Sequence, residues 1–149
     1  MTRVVVASLV LASALFGCSE GKRPFLMAQI CLRDEQNLSA FTQELRSISQ
    51  SENMRFVDGS RESERELNAL GHEASGRLIH MAVESENGVG LTAGNLGLPT
   101  YQAVIGFSEG SNPDGARAFA GRVISKISQR WHVETIPSEH GAQPMEDCI

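Results

Sequence analysis

The chain encodes an α+β domain. Two long apolar stripes at helical spacing point to it, as do the short extended segments around them and the strand-like runs before the first stripe and after the last. Leu38, Phe41, Leu45 and Ile48 form the first stripe. Ala116, Phe119, Ala120, Val123, Ile124, Ile127 and Trp131 form the second. Each is the pattern of a helix that buries one face.

The elements follow in order. Ser19 to Pro24 is short and polar and reads as a tether. Phe25 to Arg33 is apolar with few helix formers, a first strand. Asp34 to Asn37 offers cap residues for the helix carrying the first stripe, and Ser49 to Asn53 ends that helix. Met54 to Asp58 is a short strand stopped by Gly59. Arg61 to Glu66 is densely charged, with Leu67 and Leu70 as a narrow apolar edge. Ser63 and Glu66 have capping-box spacing and Gly71 suits a helix C-cap, so this segment reads as a short surface helix.

Leu78 to Glu84 alternates and reads as a strand. Gly88 to Pro99 holds four glycines and a proline, which reads as an irregular hairpin or binding loop. Tyr101 to Phe107 is a strand with β-branched residues at Val104 and Ile105. Asn112-Pro113-Asp114 opens the second long helix with a cap, a proline at the first helical position and an acid in the first turn. His132 to Ile136 is a last strand, and Pro137 begins a polar tail.

Two such helices suit one face of an antiparallel sheet. The element order resembles the ferredoxin-like βαββαβ arrangement with an insertion. A fold assigns no activity by itself.

The N-terminus gives an address. Arg3 precedes the apolar run Val4 to Leu15, which is shorter than the roughly 20 residues of a membrane span. Leu15-Phe16-Gly17-Cys18 closes it. This layout resembles a bacterial lipoprotein signal, with Phe16 bulkier than the usual small residue. The resemblance implies cleavage after residue 17, acyl chains such as palmitate on Cys18, and a tether over 18–24 ahead of a single domain over 25–149. Ser19 stands where an aspartate would signal inner-membrane retention, so it implies an outer-membrane anchor facing the periplasm. The alternative is a secreted protein cut elsewhere.

Lipidation of Cys18 leaves Cys31 and Cys148 as an even pair in an oxidising compartment, which favours one disulfide over two buried thiols. The net charge is −5, and only Lys22 and Lys126 among the basic residues are lysine. An acidic surface repels nucleic acid and anionic headgroups, so membrane attachment falls to the acyl chains.

The chemical motifs are weak. Gly106-Phe107-Ser108-Glu109-Gly110 fits G-x-S-x-G, but Ser111, Asn112 and Pro113 separate Ser108 from the next helix, where a nucleophile elbow turns directly into it. Gly88 to Ala93 fits G-x-G-x-x-A, yet Gly94, Gly97 and Pro99 prevent the helix that a dinucleotide site needs. His72, His80, His132 and His140 lack zinc spacing, although His80, Glu84 and His132 could meet in space. No catalytic residue, metal site or cofactor is assigned.

Strand alternation is more informative. If Ile30 and Leu32 face the helices, Gln29, Cys31 and Arg33 face away, as do His80, Glu84, His132 and Glu134. That places a polar face on the sheet, either simply solvated or used for recognition. Arg33, His80, Glu84, His132 and Glu134, with Asn87 and Asn95 of the glycine-rich segment, are the candidate binding set. The expected function is a non-enzymatic, lipid-anchored binding module for an envelope protein, of accessory, inhibitor or immunity type. A small periplasmic hydrolase using Ser108 with a histidine and a carboxylate is the alternative. A lipoprotein joining membrane to wall is disfavoured by the lack of coiled-coil heptads.

Overall fold

The computed structural model describes residues 22–72, 76–95, 97–137 and 139–148. The signal segment, Cys18 and the first part of the tether lie outside them.

Polar caps set the helix boundaries. Asp34 accepts a hydrogen bond from the Asn37 backbone N–H at 2.7 Å and opens α1 (Glu35–Ser51). Asn112 accepts from Gly115 N at 3.0 Å and opens α3 (Pro113–Ile127), with proline in the first turn. The charged segment forms α2 (Ser60–Ala69), which has no buried residue. It starts at Ser60, ahead of the capping-box serine, because Gly59 N and the Ser60 hydroxyl are tied to the main chain of His80.

The strands are β1 (Leu26–Cys31), β2 (Arg55–Asp58), β3 (His80–Glu84), β4 (Val89–Gly94), β5 (Gln102–Glu109) and β6 (Val133–Ile136), and Glu146–Cys148 forms a 3-10 turn. They make one antiparallel sheet in the order β2-β3-β4-β5-β1-β6. The described residues therefore form an α+β fold with a six-stranded sheet, three helices and one disulfide, Cys31–Cys148.

The glycine-rich segment corrects one expectation. Its first half is β4, an interior strand flanked by β3 and β5. The loop is confined to the tight turn through Asn87 and Gly88, and to the described residues after Gly94. Val89, Leu91 and Ala93 are buried, so the apolar alternation outweighs the glycines between them. At the turn, Gly88 has φ +82° and packs against Gly110, where a Cβ would meet Asn87 O at 2.2 Å.

Register defines two faces. Ala28, Ile30, Ile105, Phe107, Leu91, Ala93, Met81 and Val83 share the core face. Most of them join one hydrophobic cluster with Leu38, Phe41, Leu45 and Ile48 of α1 and Ala116, Phe119, Ala120, Val123 and Ile127 of α3. Phe107 and Phe119 meet edge to face at 6.3 Å, and Phe41 and Trp131 at 5.8 Å. The Trp131 indole N–H donates to Asn37 Oδ1 at 3.1 Å, so its polar end is satisfied.

One bidentate pair joins the two long helices at their rim. Arg122 Nε and Nη2 donate to the two Glu52 oxygens at 2.8 and 2.7 Å. That hydrogen bonding lowers the Glu52 pKa from its ordinary 4.5. A depressed carboxyl stabilises the fold above its unfolded pKa, and the contribution fades as pH falls through the folded value. Solvent around Arg122 screens the pair, so Glu52→Gln is expected to cost about 0.5–1 kcal/mol at pH 7. Denaturation curves across pH should show that difference closing below 4.5.

Candidate binding surface

The other face of the sheet holds three of the candidate residues, His80, Glu84 and Glu134. Its side chains stand in transverse rows set by the strand register. One row runs His80, Gly94, Val104, Gln29, Glu134. The next runs Ala82, Thr92, Gly106, Met27, Ile136. Beyond it lie Arg55, Glu84, Gly90 and Ser108, and on the opposite side Gln102 pairs with Cys31.

The C-terminal tail covers the Cys31 end. Gln102, fully buried, donates through Nε2 to Gln143 O at 2.6 Å and accepts from Met145 N at 2.8 Å. Gln29 accepts from Gln143 N at 3.3 Å through Oε1 and donates through Nε2 to Glu134 at 2.8 Å. Met145 is buried, and the Cys31–Cys148 disulfide fixes the end of the tail to β1. Gln102 thus finds partners in the main chain of the tail, and Gln29 finds one there and one in the Glu134 carboxylate, as buried amides must.

Beside the tail the face is uncovered. A groove of about 540 Å³ has Gly94, Gly106, Val104 and Thr92 beneath it, with Pro24, Leu98, His80 and Ala142 among its walls. Among the described residues no Asp, Glu, Lys or Arg lines it. A Cβ on Gly106 would press on the Pro24 ring at 3.3 Å, whereas one on Gly94 would make only an ordinary 3.5 Å contact with Ile79 O.

The structure separates the candidate residues by role. His80 and Glu134 share a row but stand four strand spacings apart, about 19 Å. Glu84 pairs with Arg55 across β2 and β3. Arg33, at φ 69° just past β1, pairs with Asp147 of the tail at 3.3 Å. His132 precedes β6, exposed, with Nε2 3.9 Å from Glu134. Charge pairs therefore flank an uncharged groove.

The two asparagines serve the backbone. Asn95 is buried, accepts from Ile79 N at 2.7 Å and donates to Arg77 O and Thr100 O at 2.8 Å each. Asn87 accepts from Val89 N at 3.2 Å within the turn.

Ser108 lies within β5, and its hydroxyl donates to Gly88 O at 2.9 Å. Among the described residues the serine paired with a histidine is Ser63, 2.6 Å from His80 Nδ1. Gly88 to Ala93 runs into and along a strand, with no helix after it. Among the described residues no three His, Cys, Asp or Glu side chains gather as a metal site, and no helix is long and apolar enough to cross a membrane.

Residue-type reasoning missed Gln102, Gly106 and Pro24, and it gave Gln29 a face but no role, whereas Gly94 and Gly97 fell in the segment read as a hairpin or binding loop. A glutamine inside an apolar strand was the available clue for Gln29. No known family pattern matches this chain, and no characterised protein is significantly similar to it in sequence.

Proposed function

We propose that this protein is a lipid-anchored, non-enzymatic binding module of the bacterial envelope, held to the outer membrane through Cys18 and facing the periplasm. The observation that carries the binding role is the outer sheet face. It bears a 540 Å³ uncharged groove with the Arg55–Glu84 and Arg33–Asp147 pairs beyond its margins. Charges at a rim steer encounter and set specificity more than they add affinity. An uncharged centre removes the desolvation penalty that buried ions would impose.

The finer fold reading is ferredoxin-like, with both long helices on one face. Three features support it: the strand order β4-β5-β1-β6, the helical connections after β1 and before β6, and the helix residues gathered in one core cluster. In that reading β2, α2 and β3 are the insertion.

The test is capture of an envelope protein by the acylated, tagged protein in solubilised membranes. Wild type is expected to retain a defined partner, while Arg33→Ala and Glu84→Ala slow its capture in a salt-dependent way. Cys18→Ser should leave the membrane fraction. Undiminished capture by both charge variants would move the interface elsewhere, and unchanged membrane partitioning of Cys18→Ser would remove the anchor.

A further inference from the structure

We infer that the C-terminal tail is a strap latched by the Cys31–Cys148 bond, and that a dithiol reductant releases it locally while the rest of the domain stays folded. The inference stands apart from the binding-module reading.

The fold is complete before the tail begins. Among the described residues, all six strands and the three α-helices precede Pro137. The hydrophobic cluster and the partly buried side chains packed on it end at Val133. Met145 is buried but lies outside that cluster, beside Gln102 on the other face of the sheet. Release of the tail therefore removes no contact of the main core, which is the condition for one segment to open while its support remains.

The noncovalent ties of the strap are few. Gln102 donates to Gln143 O and accepts from Met145 N, Gln29 accepts from Gln143 N, and Arg33 pairs with Asp147 at 3.3 Å. Among the described residues none past Ile136 joins the sheet. On release the amides exchange these bonds for bonds to water, and the ion pair is exposed already, so the covalent bond is the principal hold.

The two cysteines differ in access. Cys31 is 4% exposed on β1, whereas Cys148 is half-buried in the last turn. A thiolate of the reductant attacks Cys148 Sγ. The S–S bond breaks, Cys31 leaves as a thiolate and takes a proton from water, and Cys148 is held as a mixed disulfide. The second thiolate of the reductant then attacks its own sulfur in that mixed disulfide and releases Cys148, which is protonated in turn. The protein gains two electrons and two protons, and the reductant departs as a disulfide.

Opening changes the outer face. It uncovers Gln102, fully buried while the strap is closed, together with Gln29 and the Cys31 thiol, and it parts Arg33 from Asp147. The oxidised chain presents a closed face and the reduced chain an open one.

The test uses the full-length protein, oxidised or held in dithiothreitol, with hydrogen exchange read at two amides. Met145 N–H, held by Gln102 Oε1, reports the strap. Leu32 N–H, bonded to Tyr101 O at 2.8 Å beside Cys31, reports the sheet. Reduction is expected to speed exchange at Met145 about tenfold or more while Leu32 keeps its protection, and reoxidation should reverse the change. The double variant Cys31→Ser with Cys148→Ser should show the fast Met145 exchange with or without reductant.

Unchanged protection of Met145 with both thiols shown free by mass would overturn the inference. Loss of protection at Leu32 together with Met145 would overturn it too, because the bond would then hold the whole sheet rather than a strap. A bond that resists dithiothreitol in the folded protein would do the same.

Discussion

Replacing Cys148 with serine is expected to lower the stability of the oxidised protein by about 4–5 kcal/mol, the chain-entropy value for a loop of this length. The bond joins residues 117 apart in sequence, so without it the unfolded chain regains almost the whole of that closure entropy. The tail should then detach in part, because its remaining ties are the bonds to Gln29 and Gln102 and the exposed Arg33–Asp147 pair. Denaturant midpoints at equal slope measure the loss, and Cys31→Ser with Cys148→Ser should cost no more than either change alone. Hydrogen exchange at Met145 N, whose acceptor is Gln102 Oε1 at 2.8 Å, reports the tail separately. A variant as stable as wild type would mean that the bond constrains nothing the fold does not already hold.

Phe107→Ala carries the next largest expected effect, about 3–5 kcal/mol. Phe107 is fully buried on β5 and sits opposite Leu26 on one neighbouring strand and Leu91 on the other. Its ring meets Phe119 of α3 at 6.3 Å and Phe25 at 6.5 Å. Truncation leaves a cavity at a junction of three strands and a helix, where the backbone cannot collapse to fill it. Phe107→Leu keeps most of the volume and should cost under about 1.5 kcal/mol. Equal losses for the two variants in urea unfolding would show that the ring fills no packed site.

Much of the architecture was readable because it depends on local periodicity. The stripes at Leu38 to Ile48 and Ala116 to Ile127 name the core faces of α1 and α3, and Asp34 and Asn112 mark where those helices begin. The disulfide followed from counting cysteines once Cys18 was set aside, and the side of the sheet that Cys31 occupies followed from period two. β4 was hidden by composition. Its glycines at 90 and 94 fall on the outer row, while Val89, Leu91 and Ala93 keep the core row intact. Counting glycines weighed the wrong face.

The candidate surface was half legible for a related reason. Alternation put His80, Glu84 and Glu134 on one face, but no local pattern shows that Gln102 is buried by residues 143 and 145. The groove is equally non-local, since Pro24, Leu98 and Ala142 meet only through tertiary structure. Asn95 is buried and bonded to backbone, a placement that loop composition cannot separate from that of an exposed amide.

The strand order also sets a sequence of events during assembly. β2 to β5 are neighbours in chain order, so their pairings close short loops and can form early. β1 lies between β5 and β6, both supplied far downstream. During synthesis from the N-terminus, the first strand to emerge therefore has no partner until residues 102–109 arrive, and its second edge stays open until residues 133–136 follow. Through that interval the apolar run from Leu26 to Leu32 is a bare strand, able to pair with another copy of itself. The slowest and most aggregation-exposed step of this protein is the enclosure of its first strand, and Cys148 can lock that strand only after every other element is in place.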